Sequence, residues 1–150
     1  GSDTVDSAPF TVSASDPGGL EITSQPGNVT AGDDILLALR VVDEFGNLVP
    51  SASIPVSLDA AVNPGGWPLL VDTSLTKTTV NGVVSWGADD NLRVTKAISG
   101  YKLIASGLGD PVTTDAFDVA VGTASLVRFI QQPVNLVEDT NMSPPPTAEI

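Results

Sequence analysis

Ser74-Leu75-Thr76-Lys77-Thr78-Thr79-Val80-Asn81-Gly82-Val83-Val84-Ser85-Trp86 is the stretch that decides the fold. Two runs rich in Thr and Val flank Asn81-Gly82, and an Asn-Gly pair supplies the positive φ angles that a two-residue hairpin turn needs. The stretch predicts two antiparallel strands, tightly joined. Upstream, Ile35-Leu36-Leu37-Ala38-Leu39-Arg40-Val41-Val42 follows the turn residues Gly32-Asp33-Asp34. Its positions 35, 37, 39 and 41 form the apolar face, with Arg40 outward. Leu20 to Thr23 alternates and is stopped by Pro26, as suits an edge strand. Ile54, Val56 and Leu58 mark the inward face of a further strand, between the turn Asp43-Glu44-Phe45-Gly46-Asn47 and the loop Pro64-Gly65-Gly66-Trp67-Pro68. Downstream, Ala88 to Arg93 is a polar crossing, and Tyr101 to Ala105 and Val112 to Val119 complete the set. No window holds the i, i+3, i+4, i+7 spacing of a helix, and 14 Gly and 12 Pro interrupt the chain throughout.

About seven short strands separated by turn residues predict an all-β chain folded as a Greek-key β-sandwich. Tyr101 narrows this to an immunoglobulin-like sandwich. It follows Gly100 at a strand start, with apolar Leu103 two residues on. That is the setting of a tyrosine corner, whose phenol bonds back to the upstream backbone. The alternative is that Tyr101 simply caps the core. Leu103 stands where such folds often carry a cysteine, and Trp86 is the candidate for the aromatic centre.

These residues also carry a family resemblance. Val41-Val42-Asp43-Glu44-Phe45-Gly46-Asn47-Leu48-Val49-Pro50 resembles the V-x-D-x-x-G-N-x-V-P stretch of bacterial immunoglobulin-like (Big) repeats of the invasin/intimin type. Thr78 to Trp86 is similar to their T-T-x-x-G-x-A-x-F hairpin, and Gly100-Tyr101-Lys102-Leu103-Ile104-Ala105 to their G-Y-x-L-x-A strand. The resemblance spans residues 20 to 121 in the right order. It implies a tandem repeat of a cell-surface protein, and leaves adhesin shaft, stalk and envelope coat equally open.

The chain also resembles itself. Phe10, Val12, Gln25 and Pro26 reappear as Phe117, Val119, Gln132 and Pro133, and apolar Ile22 is matched by apolar Phe129, each at an offset of 107. A fixed period with matched positions is the signature of an array. Residues 1–19 then read as the tail strand and linker of a preceding repeat, 20–121 as the sandwich, and 122–150 as the linker and head of the next. Phe10 to Val12 and residues 126 to 133 are a last and a first strand with apolar residues at alternate positions. They either dangle, pair with each other or with the central sandwich, or complete a neighbouring molecule by strand addition; their complementary origin favours ordered pairing, and self-association is expected.

Composition removes several functions. With 18 acidic and 6 basic residues the net charge is −12, and the six cations are scattered, so nucleic-acid binding is not expected. No apolar run reaches a membrane span. Cys and His are both absent, which removes disulfides, thiolate sites, and the commonest general base and Ser activator. The adjacent pairs Asp33-Asp34, Asp43-Glu44 and Asp89-Asp90 fall at turns and do not predict a catalytic cleft. No enzyme activity is expected. Calcium is the one candidate cofactor, because a hard cation takes several oxygen ligands from acidic turns. The candidate ligands are Asp16, Asp43, Asn47, Asp89, Asp90, Asn91 and Asp110, set against their reading as solvated turn residues. Lys77, Lys96 and Lys102 lie at outward or loop positions, unsuited to an isopeptide cross-link. Trp67 is either an exposed stacking platform for a glycan or host protein or a plug over the sandwich end.

The expectation is a structural and interaction repeat of a long bacterial surface or extracellular protein, such as a stalk, spacer, adhesin shaft or S-layer building block. Its partners would be neighbouring repeats. A ligand-binding module built around Trp67 is the alternative.

Overall fold

A computed structural model describes residues 3–66, 68–124, 126–132, 141 and 143–149. Trp67, the position 133 of the repeated Gln-Pro pair and most of the 137–142 stretch lie outside the described residues. The chain is all-β. Strands β1 (Gly19–Ser24), β3 (Leu37–Val42) and β6 (Val83–Trp86) form one antiparallel sheet in the order β1-β3-β6. Strands β4 (Pro55–Val62), β5 (Thr76–Thr78), β7 (Lys102–Ser106) and β8 (Val112–Thr113) form a second, in the order β5-β4-β7-β8. The chain changes sheet after β3, after β5 and again after β6. Two-residue strands β2 (Val29–Thr30) and β9 (Val119–Ala120) pair in parallel, and β10 (Arg128–Gln131) pairs antiparallel with β11 (Thr147–Glu149).

Alternation sets the register. Leu37, Leu39 and Val41 of β3 and Val84 and Trp86 of β6 are buried, and so are Val56 and Leu58 of β4 and Leu103 and Ala105 of β7. All belong to one core, to which both sheets contribute a face. A slip of one residue would turn each of these sets to solvent, so the pattern holds the pairing. The indole of Trp86 is wholly buried and its Nε1–H donates to the Ser74 carbonyl at 2.8 Å. Tyr101 stacks on Phe117 with ring centroids 5.9 Å apart, and its hydroxyl donates to the Lys96 carbonyl at 2.9 Å. That backward bond is the one expected of a tyrosine corner. Burial pushes the phenol pKa up, which keeps the hydroxyl protonated as a donor.

The expected hairpin proves to be a tight turn between sheets: β5 pairs with β4 and β6 with β3, and the Val80–Val83 bridge joins the two runs beside the turn. Asn81 and Gly82 have φ of 52° and 73°, and Val80 and Val83 exchange backbone hydrogen bonds across them. A Cβ on Gly82 would stand 2.4 Å from the Val49 carbonyl oxygen, so the turn needs glycine for space as well as for φ.

Several expected elements are cut differently. The strand expected over 112–119 is two short strands, β8 and β9, separated by residues 114–118. Thr114 marks the break: its hydroxyl accepts from the Leu103 amide and its amide donates to the Leu103 carbonyl. Residues 35 and 36 precede β3 without joining it, because the Ile35 amide donates to the Leu92 carbonyl instead. β2 was not anticipated, two residues being too short to show alternation. Phe10 to Val12, expected as a strand, form none. Phe10 and Val12 are 82% and 81% exposed, whereas their counterparts Phe117 and Val119 are 1% and 4% exposed. Residues 128–131 do form a strand, and its partner is β11.

Pairing also orients the chain. β1 begins beside the end of β3, Gly19 opposite Val42, next to the Asp43–Asn47 turn; this is the proximal end. The far end of the same sheet holds Leu37 opposite Trp86, and beyond it Ile35 against Leu92 and Gly32 against Val94. β2 runs toward that distal end, and β9 lies parallel to it, with the Ala31 amide donating to the Ala120 carbonyl. The chain therefore enters the sandwich at one end and leaves it at the other.

Candidate functional site

At the proximal end the turn is built around one carboxylate. Asp43 is 4% exposed. Its Oδ1 accepts from the Phe45 and Asn47 amides at 2.9 and 2.8 Å. Its Oδ2 accepts from Asn47 Nδ2 at 3.1 Å and from the Ser15 amide at 2.9 Å. Four donors use the roughly four lone-pair positions of a carboxylate. The Ser15 amide above all, with the other donors, holds the Asp43 carboxyl far below the usual carboxylate range, against the opposing effect of burial. Neither expected role fits Asp43: it is not a solvated turn residue, and the oxygens a cation would need are already bonded. It is the organiser of the turn and an anchor for the chain leading in.

That incoming segment is seated at several points. The Gly18 amide donates to the Val42 carbonyl at 2.8 Å, and Ala14 packs against the core. A Cβ on Gly18 would lie 3.2 Å from the Glu44 amide nitrogen, and one on Gly109 would lie 2.7 Å from the Gly18 carbonyl oxygen. The close approach of three backbones brings the 15–18 segment, the Asp43 turn and the Leu108–Asp110 bend together. Asp16, Asp43, Asn47 and Asp110 thus share the proximal end, with Asp16, Asn47 and Asp110 exposed.

Asp89, Asp90 and Asn91 belong to the opposite end. Ala88–Asp90 is a single 3-10 turn after β6. Asp90, 6% exposed, forms an ion pair with Lys77 Nζ at 2.6 Å and accepts from Thr73 Oγ1 at 2.6 Å and the Gly87 amide at 2.8 Å. The Lys77 bond, with that of Thr73, lowers its pKa to about 2. Lys77 also donates to the Ser85 carbonyl and lies 5.7 Å from the centroid of the Trp86 ring. Asn91, at φ 49°, donates to Asp72, which also takes Arg93. Asp89 is exposed. Among the described residues no three acidic side chains gather as a metal group.

Ser15, Asp72 and Thr73 were not expected at these centres. Their partners lie 28, 19 and 17 residues away, and no local motif links such pairs. Lys77 sits beside an aspartate and not an asparagine, as a charged pair. A groove of about 430 Å³ runs along β5 and β6, lined by Lys77, Thr78, Val80, Val83, Val84 and Ser85. Its chemistry is that of two strand edges with one engaged lysine. Trp67 lies outside the described residues, and no helix among them is long and apolar enough to cross a membrane.

Comparison with known protein families, curated proteins and solved structures found no match.

Proposed function

We propose that this chain is an immunoglobulin-like repeat of the invasin/intimin type, a structural and interaction module of a long bacterial cell-surface or extracellular protein. The observation that carries the reading is the path of the chain, which enters at the Asp43 end and leaves beside Gly32 and Val94 at the other. Units joined in that way extend along a line, as a stalk or spacer must, and each adds its own length. The 107-residue offset supports the same reading from sequence, because it places a matching tail before the sandwich and a matching head after it. The sheet orders β1-β3-β6 and β5-β4-β7-β8, with Tyr101 bonded back to Lys96, favour the immunoglobulin-like version of the sandwich. A net charge of −12 suits a module held soluble at high local density. The function is mechanical and the module carries no reaction.

The test is made on the protein that contains this chain. Surface labelling of intact cells should reach it, and electron microscopy of the purified protein should show a thin rod whose length grows by a constant step per repeat. A compact particle, or a protein sealed from surface labels, would overturn the proposal.

A further inference from the structure

The proximal end carries an exposed aromatic that the sandwich itself does not use. Phe45 sits at the tip of the Asp43 turn, its amide held by Asp43 Oδ1 and the residue 74% exposed. Beside it the incoming chain is pinned at Ser15 and Gly18. β9 ends at Ala120, and the residue 107 positions earlier is Ser13. If residues 10–13 end the preceding unit as residues 117–120 end this one, its last strand stops two residues before the pinned Ser15. Two residues reach at most about 7 Å. A tether that short cannot act as a free linker.

We propose that the Asp43–Asn47 turn is a closed joint between successive repeats, in which Asp43 clamps the connecting segment and Phe45 packs on the distal end of the preceding unit. The inference rests on the tandem-repeat reading and adds the partner surface and the residues that stiffen it. The partner is fixed by connectivity, since the 7 Å tether brings that distal end to this turn. The position equivalent to Ala14 points the same way. Ala14 is half-buried against this sandwich, while Val121, 107 residues on, is 81% exposed at the chain's exit. Val121 is where the following unit would seat. Asp43 is a positioning residue here, acting through the Ser15 amide, and Phe45 makes the contact.

A tandem chain in which residues 1–119 are followed directly by residues 13–150 rebuilds the junction in register. Its two sandwiches should tumble as one extended body in ¹⁵N relaxation, with the junction Ser15 amide protected from exchange. Ser15→Pro removes the donor without touching the turn, and Phe45→Ser removes the contact without touching the clamp. In the second unit, each should lower the correlation time toward that of the 150-residue chain. Phe45→Ser should also leave the melting temperature of the 150-residue chain unchanged, a separation that a merely structural role would not give, whereas Ser15→Pro should lower it because buried Asp43 loses that donor. If Ser15→Pro disturbs folding, Phe45→Ser carries the test alone. Two folded sandwiches that tumble independently in the unsubstituted tandem chain would overturn the joint and leave the repeat reading standing. A tandem chain that forms one sandwich and one unfolded segment would overturn both.

Discussion

Trp86 shows how much of this molecule rests on single buried side chains. Its ring fills the space between the sheets, its N–H is satisfied by Ser74, and Lys77 lies near its face. Trp86→Ala should cost about 3–5 kcal/mol, as large-to-small core truncations do, and equilibrium denaturation measures it directly. Asp43 and Asp90 are the charged counterparts. Both are ionised, buried and surrounded by donors, so both have folded pKa values below the ordinary 3.8. A group with a depressed pKa contributes stability above its unfolded value and loses it as pH falls toward the folded value. Unfolding free energy should therefore hold steady on acidification to about pH 4 and fall below it. Asp90→Asn should flatten the part of that fall that reaches down to about pH 2. An unchanged slope between pH 4 and pH 2 in that variant would show that the Lys77 pair is not coupled to folding.

Among the elements, the β5–β6 connection was the most legible. Asn81-Gly82 announced a turn by chemistry alone, and the strands on either side followed from their period. What the motif could not announce is the Val49 carbonyl pressed against Gly82. Gly82→Ala should destabilise by more than the roughly 1 kcal/mol typical of a positive-φ glycine, because backbone must also move. A cost of only a few tenths in a thermal melt would mean that the Val49 segment yields freely. The end of the chain's last sandwich strand was less legible. Val112 to Val119 alternates well enough for one strand, but Thr114 bonds both ways to Leu103 and breaks it in two. A side chain that bonds a distant backbone leaves no periodic trace.

For the whole molecule, the acidic turns divide between two ends. Asp43 and Asp90, the most buried of them, are spent on protein donors, and Asn91 is engaged by Asp72. Asp16 and Asp110 at the proximal end and Asp89 at the distal end are exposed. Melting curves in EDTA and in millimolar calcium decide the calcium reading: superimposed curves would remove it, because a cation that binds only the native state raises the midpoint by mass action. A rise with calcium would place ligands among the exposed candidates Asp16, Asn47, Asp89 and Asp110.

Strand class, the Asn81-Gly82 turn, the inward phase of Leu37, Leu39, Val41, Val56, Leu58 and Leu103, and the repeat offset could be read without the fold, whereas the parting of β5 and β6 into different sheets could not. The former are local or periodic properties, written in side-chain alternation and turn chemistry, and they need no knowledge of distant neighbours. Tertiary structure alone decided that Asp43 anchors Ser15, that Asp90 pairs with Lys77 and Thr73, and that β2 lies parallel to β9 so that the chain leaves opposite to where it came in. Each of those depends on groups brought together across the fold. A carboxylate in a turn reads the same in sequence whether water, a cation or a remote backbone amide fills its lone pairs, and only the packed molecule selects which.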